Sequence, residues 1–244
     1  MGILFIEFLG LTQWWGRQVH GCDRPLNRYG LYWSRQAGSS FLMGLSVGVF
    51  SLFLMFFVEL SLGWVVWNDA TWSTPAWAAQ CKLALEGLLV ATGVGLGEEL
   101  VFRGWLLDEL ERDYASAIAL WWSSVLFAAL HFIRPLGEII RTFPQFPGLV
   151  LLGLLLVWAK RSQRGQLSIA IGLHAGLVWG FYMVNVGQWV EYSGLVSDWW
   201  SGVDQNPLAG GLGLGFLAIL VLGFRWRAIV ANRLAAKPTV KMPD

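Results

Sequence analysis

Charge is what this chain of 244 residues has least of: 14% of its residues are charged, against roughly 25% in soluble domains. Seventeen basic and sixteen acidic residues leave a net charge of +1, which excludes the basic footprint of a nucleic-acid binder. Cysteine is nearly absent. Cys22 and Cys81 are far apart and form no CxxC pair, which excludes a disulfide framework and a cysteine-based zinc site. Gly2 to Trp15 is apolar but contains Glu7 and lacks a basic leading region, and no small-residue cleavage site follows. It does not read as a signal peptide. The chain also lacks internal repeats, low-complexity linkers and an HExxH zinc signature.

What is present is apolar: 56% hydrophobic residues, 16 Trp and 29 Gly. A membrane span needs about 20 mostly apolar residues. Six stretches are expected to cross: Phe41 to Val66, Trp77 to Leu107, Ala115 to Ile133, the short Phe146 to Ala159, Leu167 to Val186, and Leu208 to Phe224. Gly2 to Trp15 is too short to span and reads as an interfacial helix. Arg134 to Pro147 reads as a loop with an interfacial turn, and Lys237 to Asp244 as a frayed tail. The fold class is therefore all-α, a polytopic membrane bundle of about six transmembrane helices plus an N-terminal interfacial helix. Residues 1–40 form the N-terminal interfacial segment, 41–226 the membrane domain with its core at 77–186, and 227–244 the C-terminal tail.

Basic residues collect on the cytoplasmic side of a membrane protein. With six spans both termini share one side, which receives fourteen of the seventeen basic residues, Arg103 and Lys160 among them; Lys82, Arg134 and Arg141 fall on the other. Both termini are expected in the cytoplasm. Trp64, Trp67, Trp72, Trp77, Trp189, Trp199 and Trp200 fall near the opposite interface, where indoles prefer to lie.

Against this background Glu98 and Glu99 stand out, side by side in Gly93-Val94-Gly95-Leu96-Gly97-Glu98-Glu99-Leu100-Val101-Phe102-Arg103-Gly104. A carboxylate in hydrocarbon costs several kcal/mol unless it is paired, neutralised or wet, and so marks a functional site. The polar run Glu109 to Asp113 reads as the turn of a helical hairpin. Glu98 lies 16 residues before Tyr114 and His131 lies 17 after it. At 1.5 Å per residue both sit about 25 Å from the turn, at one depth. Glu99 and Arg103 are at i and i+4, which stacks them as a pair. Glu98 is rotated about 100° away and is left for chemistry as a general base. Phe127 is one turn before His131 and walls the pocket. Gly93, Gly95 and Gly97, and the small neighbours of His174 in Gly172-Leu173-His174-Ala175-Gly176, permit close helix packing. Glu59 and Glu86 read as interhelical hydrogen-bond partners.

Glu98-Glu99-Leu100-Val101-Phe102-Arg103 resembles the EExxxR motif of the CPBP family, the CAAX proteases and bacteriocin-processing (Abi) enzymes. Phe127-Ala128-Ala129-Leu130-His131 resembles its FxxxH motif. The resemblance covers roughly Trp77 to Val186. It implies an intramembrane glutamate endopeptidase in which Glu98 and His131 activate water, Glu99 with Arg103 and Phe127 orders the site, and His174 stabilises the oxyanion. The family's third motif is HxxxN or HxxxD, but Val178 stands at the i+4 position after His174. Asn185, eleven residues after His174, shares its helical phase at another depth.

The expected partners are the bilayer and a peptide or membrane-protein substrate, such as a prenylated tail; no nucleic acid is expected. Glu98, His131 and His174 can act without a metal, and no cofactor is expected. A zinc site of the same three residues is the chemical alternative, since two His and one carboxylate make a catalytic set. A non-catalytic membrane scaffold is the alternative function, favoured by Val178. A proton-coupled transporter using Glu59, Glu86 and Glu98 would show two similar halves, and none are seen.

Overall fold

The computed structural model describes residues 2–72 and 74–235. In chain order the elements are α1 (Gly2–Gln18), α2 (Pro25–Arg28), α3 (Arg35–Ser61), β1 (Val65–Trp67), α4 (Thr74–Glu99), a π-helical segment (Leu100–Leu106), α5 (Leu107–Asp113), α6 (Ser116–Leu130), α7 (Leu136–Thr142), α8 (Phe146–Ser162), α9 (Ser168–Asn185), β2 (Val190–Tyr192), α10 (Asp198–Ser201) and α11 (Gly211–Ala235). The protein is an all-α membrane bundle with one minor addition. The three-residue strands β1 and β2 pair antiparallel, Val66 opposite Glu191. Strands this short carry no usable period-two pattern.

Four helical stretches are long and apolar enough to cross a bilayer: Arg35–Ser61, Leu136–Ser162, Ser168–Asn185 and Gly211–Leu234. The other two expected crossings exist as helices. One carries Lys82, Glu86, Glu98 and Glu99 along α4; the other, α6, has 15 residues. Arg134 to Pro147 is not simply a loop. It contains α7, which runs through a 3-10 turn at Phe143–Gln145 into α8 and lengthens the shortest expected span. The expected tail from Lys237 onward lies outside the described residues.

α3 and α9 pack along their whole length. Gly44 and Gly48 of α3 face the backbone of α9 at Ile169 and Leu173, while Gly172 and Gly176 of α9 face the backbone of α3 at Phe41 and Leu45. Two small-xxx-small motifs thus interlock, which lets backbones approach without a side chain between them. Of the three glycines expected to admit a helix onto α4, Gly95 does so, against Ile171 and Ala175. Gly93 faces open space, and Gly97 meets the ring of Phe5. Gly153 of α8 lies on the backbone of Ser124 in α6. The largest core cluster joins Phe102, Phe127, Leu152, Leu155, Leu156 and Leu173, so the apolar centre sits directly around the polar residues of α4, α6 and α9.

α1 lies against the hairpin. Phe5, Phe8 and Leu9 pack into a second cluster with Tyr29, Leu100 and Leu167, and the Phe8 and Trp105 rings meet edge to face at 6.4 Å. Ile6, Leu11 and Trp14 remain exposed, as lipid-facing residues of an interfacial helix would be.

Candidate active site

The acidic end of α4, the C-terminal end of α6 and the middle of α9 meet at one point. Glu98 Oε2 lies 3.9 Å from His131 Nε2 and 3.9 Å from His174 Nε2. That oxygen is buried and has no hydrogen-bond partner. The equal-depth reading of Glu98 and His131 matches this placement.

Each imidazole is oriented by its other nitrogen. His131 Nδ1 lies 2.7 Å from the Phe127 carbonyl oxygen. A carbonyl only accepts, so Nδ1 carries the proton and the neutral ring presents a bare Nε2 to Glu98. His174 Nδ1 lies 2.9 Å from Glu99 Oε1, and a carboxylate likewise accepts. The His131 lone pair and the Glu98 carboxylate oxygen therefore converge with no proton between them, and His174 presents its Nε2 to the same space. A water molecule, with two protons to donate, satisfies such a cluster.

Beneath this lies a fully buried ion pair. Arg103 Nη1 donates to Glu99 Oε1 at 2.9 Å, and both side chains are completely shielded from solvent. Arg103 Nη2 donates to the Gly153 carbonyl at 3.3 Å. Its guanidinium lies 4.2 Å from the centre of the Phe127 ring, a cation–π contact worth about 2 kcal/mol when desolvated. Phe127 also touches both imidazoles, with ring centroids 4.6 Å from His131 and 6.2 Å from His174. It walls the pocket and seats the guanidinium under it.

The π-helical segment begins one residue after Glu99. A π turn loosens the regular ladder and is frequent at functional sites. Here the Arg103 carbonyl accepts from the buried ammonium of Lys160 at 2.5 Å, and the Phe102 carbonyl accepts from Ser123 Oγ at 3.3 Å. Lys160 and Arg103 are thus internal and carry no topological information. Removing them leaves twelve basic residues on the side first assigned fourteen.

Two other expectations change. Glu59 is 1% exposed, and its Oε2 has no hydrogen-bond donor among the described residues, so the expected interhelical bond to that oxygen is not made there. Glu86 is exposed and lies 3.7 Å from Lys82 on its own helix. Asn185, at the end of α9, lines a polar cavity of about 270 Å³ with Asn68, Gln188 and Tyr192. Eleven residues of helix place it roughly 16 Å from His174, outside the site. Val178 lines a different, apolar cavity of about 140 Å³, together with Leu152, Leu177, Phe181 and Asn206.

The fold is that of a polytopic helical membrane protein with a buried polar centre. Residues 80–180 match the family model of type II CAAX prenyl endopeptidase Rce1-like proteins, a likeness that supports the CPBP/CAAX protease family. At the family level that likeness supports a CAAX-type intramembrane protease, a family whose substrates are peptides or membrane-associated proteins. No curated protein and no solved structure matches the chain.

Proposed function

We propose that this chain is an intramembrane endopeptidase in which Glu98 is the general base. The supporting observation is the approach of two oriented Nε2 atoms to the same unpartnered carboxylate oxygen, each at 3.9 Å. That separation is too long for a direct hydrogen bond and suits one intervening water. The water donates one proton toward Glu98 Oε2 and the other toward His131 Nε2, which leaves an oxygen lone pair for the scissile carbonyl carbon. Glu98 takes the proton as the carbon–oxygen bond forms. It returns that proton to the amine nitrogen as the carbon–nitrogen bond breaks.

His174 faces the same space. Protonated at both nitrogens, with Glu99 holding Nδ1–H, it offers an Nε2–H to the developing oxyanion. Glu99, Arg103 and Phe127 hold the imidazoles in place. The three residues also suit zinc by donor type, but the bare His131 Nε2 and the carboxylate are equally matched to water, and each step above uses the chain's own groups. The substrate class is a membrane-associated or prenylated peptide tail, and both termini lie in the cytoplasm.

A second reading, a non-catalytic scaffold, is favoured by Val178 in an apolar wall where the family resemblance places an amide or acid. A cleavage screen in proteoliposomes separates the two. Prenylated and unprenylated C-terminal peptides are offered to the wild type and to Glu98→Ala. Cleavage by the wild type alone supports the protease; binding without cleavage by either supports the scaffold.

A further inference from the structure

A second cluster of ligand-type side chains lies outside this site, where the segment between α1 and α2 meets α5. His20, Asp108 and Glu109 each present one ligand atom within 4.8 Å of the others. His20 is nearly buried, at 5% exposure, and its Nε2 lies 2.6 Å from Glu109 Oε1. Trp15 Nε1 donates to the same oxygen at 2.9 Å. Asp108 Oδ2 accepts from Arg28 Nε at 2.8 Å, and Glu109 Oε2 lies 3.8 Å from Arg112.

A plain His–Glu ion pair accounts for His20 and Glu109 but leaves two facts over. Asp108, though bonded to Arg28, keeps a carboxylate oxygen within 4.8 Å of a ligand atom of each. The Tyr29 hydroxyl, on a side chain with no exposure, has no hydrogen-bond partner. Burial, then Glu109 and Asp108, push that phenol up to about 12, which places it in the field of the same carboxylates.

We propose that His20, Asp108 and Glu109 form a structural site for a divalent cation of the zinc class, which clamps the N-terminal segment to the active-site hairpin. One imidazole and two carboxylates are a borderline N/O donor set that suits Zn²⁺. Ligand atoms around Zn²⁺ stand about 2.0–2.2 Å from the metal, so a metal among the three would draw their ligand atoms to within about 4 Å of one another. Metal binding requires Nε2 of His20 unprotonated and both carboxylates ionised. The clamp has a consequence at the other site: it secures α1, whose Phe5 lies over Gly97, next to Glu98. This proposal is independent of the protease reading.

Zinc binding to chelator-stripped, detergent-solubilised protein is measured by calorimetry, with thermal stability read in parallel. The wild type is expected to bind one Zn²⁺ equivalent through this site and to melt at a higher temperature with zinc. His20→Gln and Asp108→Asn should each weaken that event by at least about tenfold, as even an outer-shell partner can. His174→Gln should leave it unchanged. Asp108→Asn also weakens the Arg28–Asp108 pair, so Arg28→Gln, which breaks that pair and leaves all three ligands, should not weaken zinc binding. Zinc binding that survives both cluster variants but disappears in His174→Gln would overturn the proposal. So would an absence of binding, which would leave an ordinary ion-pair contact.

Discussion

Replacing Glu99 by Gln keeps the shape of the side chain and removes its charge. The structure sets the cost. Arg103 is completely buried, and its one carboxylate hydrogen bond is the 2.9 Å contact to Glu99. What would remain is a neutral amide oxygen, one long bond to the Gly153 carbonyl and the face of Phe127, with no counter-charge for the guanidinium. Breaking a buried pair from one side costs about 3–5 kcal/mol, because a desolvated charge is left behind. Glu99 also holds His174 Nδ1, a charge-assisted bond worth about 1.5–3 kcal/mol. Both bonds share one oxygen and are not additive, so about 4 kcal/mol is expected for Glu99→Gln. Arg103→Met should cost a similar amount, and the double variant little more than either. Equilibrium unfolding in mixed micelles would give the cycle, with a coupling of about 3 kcal/mol. Coupling below about 0.5 kcal/mol, the additivity expected of distant sites, would refute the reasoning.

Further outcomes follow from individual contacts. Gly172→Ala places a Cβ against the backbone carbonyl of Phe41, which cannot move aside; the loss should be about 1–3 kcal/mol, read by the same unfolding assay. Burial raises the Glu109 carboxyl, but hydrogen bonds from His20 and Trp15 outweigh it and hold the group below its ordinary 4.5. A depressed folded value gives stability that is present above the unfolded value and lost as pH falls through the folded one. Acid melts below about pH 4.5 should therefore show a loss that Glu109→Gln lacks. Asn185→Ala should leave turnover unchanged, since Asn185 lines another cavity, whereas Val178→Asn should leave turnover equal or raise it, as measured by kcat on a cleaved peptide.

The parts of the site legible in sequence were those governed by one continuous helix or one hairpin. Glu99 and Arg103 pair because four residues separate them, and the π turn starting at Leu100 leaves that contact intact. Glu98 and His131 meet because two rods leave one turn and run equal lengths. His174 joining Glu99 was not legible, because pairing across 75 residues depends on how α9 rotates against α4. That rotation is fixed by interlocked glycines whose partners sequence alone does not name. Lys160 was read as a cytoplasmic charge because an ammonium at the end of an apolar run ordinarily faces water; its snorkelling stem instead turns inward to a freed carbonyl. Glu59 and Glu86 were given the same role by composition, yet one is buried with no donor to its Oε2 among the described residues and the other is exposed beside Lys82.

The measurement that bears most directly on the central claim is single-turnover cleavage of a peptide that the wild type cuts, repeated with Glu98→Gln at matched folding and substrate affinity. General-base catalysis contributes about 10²–10⁴ in rate. The account predicts a fall of that size in the rate of bond cleavage, with KM little changed. A Glu98→Gln protein that cleaves within a few-fold of the wild type would contradict it.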